Sequence, residues 1–158
     1  MKTIVVGLGN PILGDDGVGW RVAEEVKRQI DPHAPVDVEC VSLGGISLME
    51  YLIGYERVIL VDAFLSDEEV GSIKVMRLDE IPDYSALHTA NAHDTSLQTA
   101  MELGRYIGAK VPKEVIVVGI SATQVHDFSE DLSPPVAASV RKAAQVVVEL
   151  AMQTITIH

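Results

Sequence analysis

The first thirty residues constrain the fold of this sequence more than any other stretch. Residues 3–6 are β-branched or apolar and predict a buried strand. Residues 7–19, GLGNPILGDDGVG, carry five glycines, which let the backbone adopt positive φ and approach other groups closely. Apolar residues then recur every fourth position, which predicts a helix over residues 17–29 (Val18, Val22, Val26 and Ile30). A buried strand therefore leads into a tight loop whose acidic pair, Asp15-Asp16, favours a cation over a phosphate.

The rest of the chain continues this alternation of strands and helices. Residues 58–61 are apolar throughout, as in a central parallel strand, whereas residues 72–78 alternate and fit an edge. Thr95 and Gln98 fit a capping box for a third helix, and Ser133-Pro134-Pro135 starts the last one. Residues 36–41 and 115–118 are the other predicted strands, and residues 47–53 a short helix. We predict an α/β fold over residues 1–158: one three-layer α/β/α domain with a five-stranded, mostly parallel, twisted sheet and one antiparallel strand.

Composition excludes several classes of function. The net charge of −11 argues against nucleic acid as a partner, because phosphate binding depends on clustered lysine and arginine. No apolar run approaches the roughly 20 residues that cross a bilayer, so we expect no membrane association. The N-terminus has a strand pattern and no signal-peptide pattern, and the single cysteine, Cys40, fits a reducing compartment; we expect a cytoplasmic protein. Cys40 aligns with Val36 and Val38 on one strand face, which predicts an inert core residue.

Three polar residues lie where an open α/β sheet places its ligand site, beyond the carboxyl ends of the strands. Asp16 lies in the glycine loop, Asp62 follows the third strand, and His93 precedes the third helix. Two carboxylates and an imidazole from three segments suit a divalent metal such as nickel or zinc. The sequence therefore predicts a metal site built from these three side chains.

Each candidate also has a structural interpretation. Asp15 or Asp16 fits the cap of the first helix, a position that aspartate favours. His93 fits a loop histidine held by a carbonyl group, and His88 is a rival ligand in the same loop. For Asp62 a functional role is favoured over a structural one, because a charge at the end of a buried strand needs a partner or a site. A dinucleotide site is excluded, since the third glycine of its fingerprint is displaced and two aspartates would face the pyrophosphate.

Taken together, the motif GN-x4-DDG over residues 9–17, Asp62 after an aliphatic strand, and His93 resemble the hydrogenase maturation endopeptidases. The resemblance extends over nearly the whole chain. It implies an endopeptidase that removes the C-terminal extension from the precursor of a nickel-iron hydrogenase large subunit. The site residues it implies are Asp16, Asp62 and His93 as metal ligands, with Asp16 and Asp62 catalytic. The nickel is expected to arrive in the substrate and not to be held permanently.

One motif departs from that family, and two alternatives stay open. Residues 43–46, LGGI, keep the glycines of the family's Asp-Gly-Gly-Thr but lose both polar flanks, in a loop expected to touch the substrate. Peptidyl-tRNA hydrolases share the opening VGLGNP, but they continue to a histidine and an asparagine where this chain has Asp15-Asp16, and they bind tRNA through a basic face. A non-catalytic nickel-sensing chaperone would use the same ligands as the protease.

Overall fold

Five strands form one sheet: β1 (Thr3–Leu8), β2 (Val36–Val41), β3 (Arg57–Phe64), β4 (Ile73–Arg77) and β5 (Glu114–Ser121). Their order across the sheet is β2-β1-β3-β5-β4. The structure, a computed structural model, describes residues 2–82, 84, 95–123, 125 and 127–153. Neighbouring strands are parallel except β4, which pairs antiparallel with β5 at one edge. The predicted mostly parallel sheet and its edge strand are confirmed.

Helices cover both faces of the sheet, which confirms the three-layer architecture. α1 (Val18–Gln29) and α4 (Pro134–Met152) pack aliphatic side chains on one face, and α2 (Gly45–Leu52) and α3 (Leu97–Tyr106) on the other. Short 3-10 turns precede α1 (Gly14–Gly17) and follow β4 (Leu78–Glu80). Within the described ranges, no helix combines the length and hydropathy that crossing a membrane requires.

The third strand continues past the point where the sequence predicted its end. Its parallel pairing with β5 runs on from Asp62, opposite Gly119, to Phe64, opposite Ser121. Because both strands extend together, their added hydrogen bonds keep the backbone regular beyond the apolar run. Asp62 therefore lies inside β3 and not at its end, which corrects the prediction.

The predicted capping box of α3 is wrong. Ser96, not Thr95, is the N-cap residue, and its Oγ accepts a hydrogen bond of 3.2 Å from the Thr99 N–H. The Gln98 side chain instead forms hydrogen bonds with the preceding segment. It accepts one of 3.0 Å from the Tyr84 N–H and donates one of 3.2 Å to the Leu78 carbonyl. A side chain with both donor and acceptor groups can join segments that a capping box would leave apart.

Two further expectations are corrected by local packing. Gly17 occupies the N-cap position of α1, so neither Asp15 nor Asp16 caps that helix. Cys40 shares its face of β2 with Val36 and Val38 as predicted, but all three are only half-buried because β2 is an edge strand. Burial still raises the pKa of the Cys40 thiol, as expected of an unreactive cysteine.

Candidate active site

The glycine loop folds tightly around Asp16. Gly9 has a φ of 144°, and a Cβ there would lie 2.0 Å from the backbone oxygen of Asp16. The Asn10 N–H donates a hydrogen bond of 2.9 Å to Oδ2 of Asp16. Only glycine fits this backbone angle and this approach, so the loop sequence fixes where the buried Asp16 carboxylate lies.

The neighbouring aspartate has a different role. Oδ1 of Asp15 accepts a hydrogen bond of 2.7 Å from the Ser133 N–H, and its Oδ2 accepts one of 2.8 Å from the Ser133 hydroxyl. Ser133 is the N-cap residue of α4, which places an acidic side chain beside the positive end of the helix dipole. Asp15 therefore joins the glycine loop to α4, and Asp16 is the member of the pair that belongs to the site.

Close packing of α1 on the sheet brings the glycine loop to β3. A Cβ at Gly19 would lie 2.2 Å from the Leu8 carbonyl oxygen and 2.4 Å from that of Val61. A Cβ at Gly7 would lie 2.4 Å from the Gly19 oxygen. The start of α1 therefore lies directly on β1 and on β3. Its contact with β3 is at Val61, the residue before Asp62.

Asp62 is fully buried, at 0% exposure, and holds two hydrogen bonds. The Ala63 N–H donates to its Oδ1 at 2.9 Å, and the Tyr84 hydroxyl donates to its Oδ2 at 2.7 Å. The pKa of Asp62 is raised to about 8, mainly by burial and also by the nearby charge of Asp16, and both hydrogen bonds oppose this rise. Asp16 and Asp62 thus come together as an electrostatically coupled pair of buried carboxyl groups.

Tyr84 is a site residue that the sequence analysis missed. Its ring is buried and stacks on Phe64 with centroids 5.8 Å apart. Its backbone is fixed on both sides, because its N–H donates to Gln98 and its carbonyl accepts from the Leu97 N–H at 3.0 Å. Burial, together with the adjacent Asp62, raises the pKa of the Tyr84 hydroxyl well above its ordinary value. The hydroxyl therefore stays protonated and acts as a hydrogen-bond donor to Asp62.

The predicted third ligand, His93, and its rival His88 lie outside the described residues, between Tyr84 and Thr95. No three potential ligands of a metal ion gather among the residues that are described. The metal site of Asp16, Asp62 and His93 therefore stays a prediction.

The carboxyl pair suits a positively charged guest. Two carboxylates in a water-excluded site repel each other, and the raised pKa of Asp62 means that it holds a proton near neutral pH. A divalent cation between them would offset that repulsion and favour the deprotonated form. Oxygen ligands of this kind suit a hard or borderline cation. The pair can therefore either bind a cation or share a proton in acid–base chemistry.

A family model and several relatives match this chain. The family model described as hydrogenase maturation protease, HycI, matches residues 20–150. The hydrogenase expression/formation protein HupD of Bradyrhizobium diazoefficiens is 30% identical over 152 residues, covering 94% of this chain and 79% of that protein. HoxM of Azotobacter vinelandii is 28% identical, covering 92% of this chain and 70% of HoxM.

Solved structures share the fold. The hydrogenase maturating endopeptidase HybD from Escherichia coli superposes with a TM-score of 0.74 at 22% identity, covering 95% of this chain and 91% of HybD. A hydrogenase 2 maturation peptidase from a Thaumarchaeota archaeon gives a TM-score of 0.68 at 26% identity, covering 95% and 97% of the two chains. The resemblance seen in the glycine loop is confirmed over almost the whole length. This chain belongs to the hydrogenase maturation protease family.

Proposed function

We propose that this protease removes the C-terminal extension from the nickel-loaded precursor of a nickel-iron hydrogenase large subunit, in the cytoplasm, and leaves the nickel-free precursor intact. The observation that carries this proposal is the buried pair of Asp16 and Asp62, in which Asp62 has a pKa of about 8. The relatives' names supply the class of substrate, and the pair supplies a reason for its dependence on metal.

The pair accounts for selectivity through the cost of burying charge. Without a cation, Asp62 keeps its proton, because a second negative charge beside Asp16 in a dry site is unfavourable. Beside a nickel ion held by the precursor, both groups become carboxylates, with His93 as the third expected contact. The nickel-free precursor brings no cation, so Asp62 keeps its proton when this precursor binds. The pair is then in the wrong protonation state for the reaction.

The same residues support hydrolysis. The precursor's nickel supplies positive charge that polarises a nearby carbonyl group. A carboxylate of the Asp16–Asp62 pair accepts a proton from the attacking water, whose oxygen bonds to the carbonyl carbon. The same carboxyl group returns the proton to the departing amine as the peptide bond breaks. The Tyr84 hydroxyl holds the Asp62 carboxyl group in place during both transfers.

The test is to incubate the protein with nickel-loaded and nickel-free precursor and to measure the mass of the large subunit before and after. We expect the mass of the tail to be lost from the nickel-loaded form alone. An unfolded generic protein and a peptidyl-tRNA serve as control substrates and are expected to remain intact. Equal cleavage of both precursor forms would contradict the proposal. Binding of the loaded precursor without any loss of mass would instead identify a non-catalytic nickel-sensing chaperone.

A further inference from the structure

An exposed phenylalanine stands beside the glycine loop. Phe128 is one of two phenylalanines in the chain, and it is 86% exposed in the loop that follows β5. A single exposed apolar side chain is normal on a protein surface, whereas a group of them marks an interaction site. In the same region, Ile12 of the glycine loop is also largely exposed.

The residues that follow Phe128 are hydrogen-bonded to the glycine loop and to α1. The Ser129 N–H donates to the Ile12 carbonyl at 2.9 Å, and the Gly14 N–H donates to the Ser129 carbonyl at 2.8 Å. Arg21 of α1 fixes the following residue by a hydrogen bond of 2.9 Å to the Glu130 carbonyl. These bonds anchor the backbone that follows Phe128 to the glycine loop, which carries Asp16, and to α1, so a partner that binds there has little additional backbone to order.

The same edge of the sheet bears further exposed apolar side chains. Leu65 follows β3 and Ile46 lies in the first turn of α2, after β2. Among the described residues, a large apolar side chain is thus exposed after each of the four parallel strands. The sequence of these loops (residues 9–17, 42–46, 65–72 and 122–133) contains aspartate and glutamate but neither lysine nor arginine.

We infer that Phe128 and Ile12, with Leu65 and Ile46 around the same edge, form the docking surface for the folded precursor of the large subunit. This inference rests on the proposed function. Any protein whose peptide bond reaches Asp16 and Asp62 must cover these loops, because the pair lies buried at their base. The acidic loops call for a partner face that combines an apolar pocket with lysine or arginine at its margin.

The test measures the rate of tail release from nickel-loaded precursor at increasing protease concentration. We expect Phe128→Ala to raise the half-saturating concentration at least about tenfold, as a central aromatic contact does, and to leave the plateau rate unchanged. Tyr106→Ala is the matched control, because Tyr106 is 89% exposed at the far end of α3. It should change neither quantity. Melting curves should be unaltered in both variants, since both side chains are exposed.

Charge provides a second arm of the same experiment. Glu130→Gln combined with Asp131→Asn should slow association and reduce its dependence on salt, while the plateau rate stays the same.

An unchanged half-saturating concentration in Phe128→Ala, with normal cleavage by the unsubstituted protein, would overturn the docking surface and leave the proposed function standing. No cleavage by the unsubstituted protein would contradict both. A change of oligomeric state in Phe128→Ala without a change in half-saturation would assign the surface to a second copy of the chain and overturn the inference.

Discussion

The hydroxyl of Tyr84 donates a hydrogen bond of 2.7 Å to Oδ2 of Asp62, deep in the protein and out of contact with solvent. This bond opposes the effect of burial, because it stabilises the charged form of Asp62 and so lowers its pKa. The stacking of Tyr84 on Phe64 and its backbone bonds to Gln98 and Leu97 keep the hydroxyl in register with the carboxyl group. In the proposed mechanism, Tyr84 is therefore a positioning residue for Asp62.

Tyr84→Phe is expected to slow processing of nickel-loaded precursor by roughly 10- to 100-fold, as for the loss of a hydrogen bond of about 1.5–3 kcal/mol to a charged group. The ring remains, so the stacking on Phe64 and the fold should survive. Without the bond the pKa of Asp62 rises further, so the activity that remains should require a higher pH than in the unsubstituted protein. Cleavage rates across pH measure this, and Tyr106→Phe at the surface is the control. An unchanged pH profile would contradict the positioning role.

The raised pKa of Asp62 also predicts how stability depends on pH. Its folded-state pKa of about 8 lies above the unfolded value of about 3.9, so between these values the folded protein holds a proton that the unfolded chain has lost. The contribution of Asp62 to the free energy of unfolding therefore falls as pH rises from about 4 to about 8. It is constant outside that interval.

Asp62→Asn isolates this contribution. The amide stays neutral, so the variant should gain stability over the unsubstituted protein as pH rises, by on the order of a few kcal/mol above about pH 8. Processing should be lost at every pH, because the charge is absent. Urea unfolding of both proteins from about pH 5 to about pH 9 measures the difference. Parallel stability curves, or an active Asp62→Asn protein, would contradict the assignment.

The sequence predicted the order of elements, the edge strand and the tight glycine loop after β1, because each follows from local periodicity and from glycine's freedom at positive φ. Tyr84 was not identified from the sequence, because its hydrogen-bond partners are Asp62 in β3 and Gln98 in α3, which lie elsewhere in the chain. The end of β3 was also missed, because pairing with β5 decides it. Contacts between segments distant in the chain leave no local pattern.

The acidic pair shows the same limit on a smaller scale. Asp15 and Asp16 are adjacent, and both fit a helix cap or a metal ligand by local pattern. Ser133, far along the chain, distinguishes them, because it donates hydrogen bonds to both carboxylate oxygens of Asp15, whereas it is the charge of Asp16 that raises the pKa of Asp62.

Substitution of each aspartate should therefore give opposite results. Asp16→Asn is expected to abolish processing with little loss of stability, because the amide oxygen can still accept the hydrogen bond from Asn10. Asp15→Ala should lower the free energy of unfolding by about 1–3 kcal/mol, since the Ser133 N–H loses its acceptor, and should retain processing. Thermal melts and precursor cleavage measure the two effects. Loss of activity in a well-folded Asp15→Ala protein together with an active Asp16→Asn protein would reverse the assignment.

The histidine prediction concerns the metal directly. If His93 completes the ligand set, His93→Ala should lose both processing and the weak binding of nickel or cadmium by the isolated protein, whereas His88→Ala should keep both. Calorimetric metal titration provides a measurement that does not depend on cleavage. In the unsubstituted protein, binding should weaken as pH falls through about 8, where Asp62 takes up its proton, and again near about 6.5, where imidazole does. Metal binding that persists in His93→Ala and is lost in His88→Ala would instead make His88 the ligand.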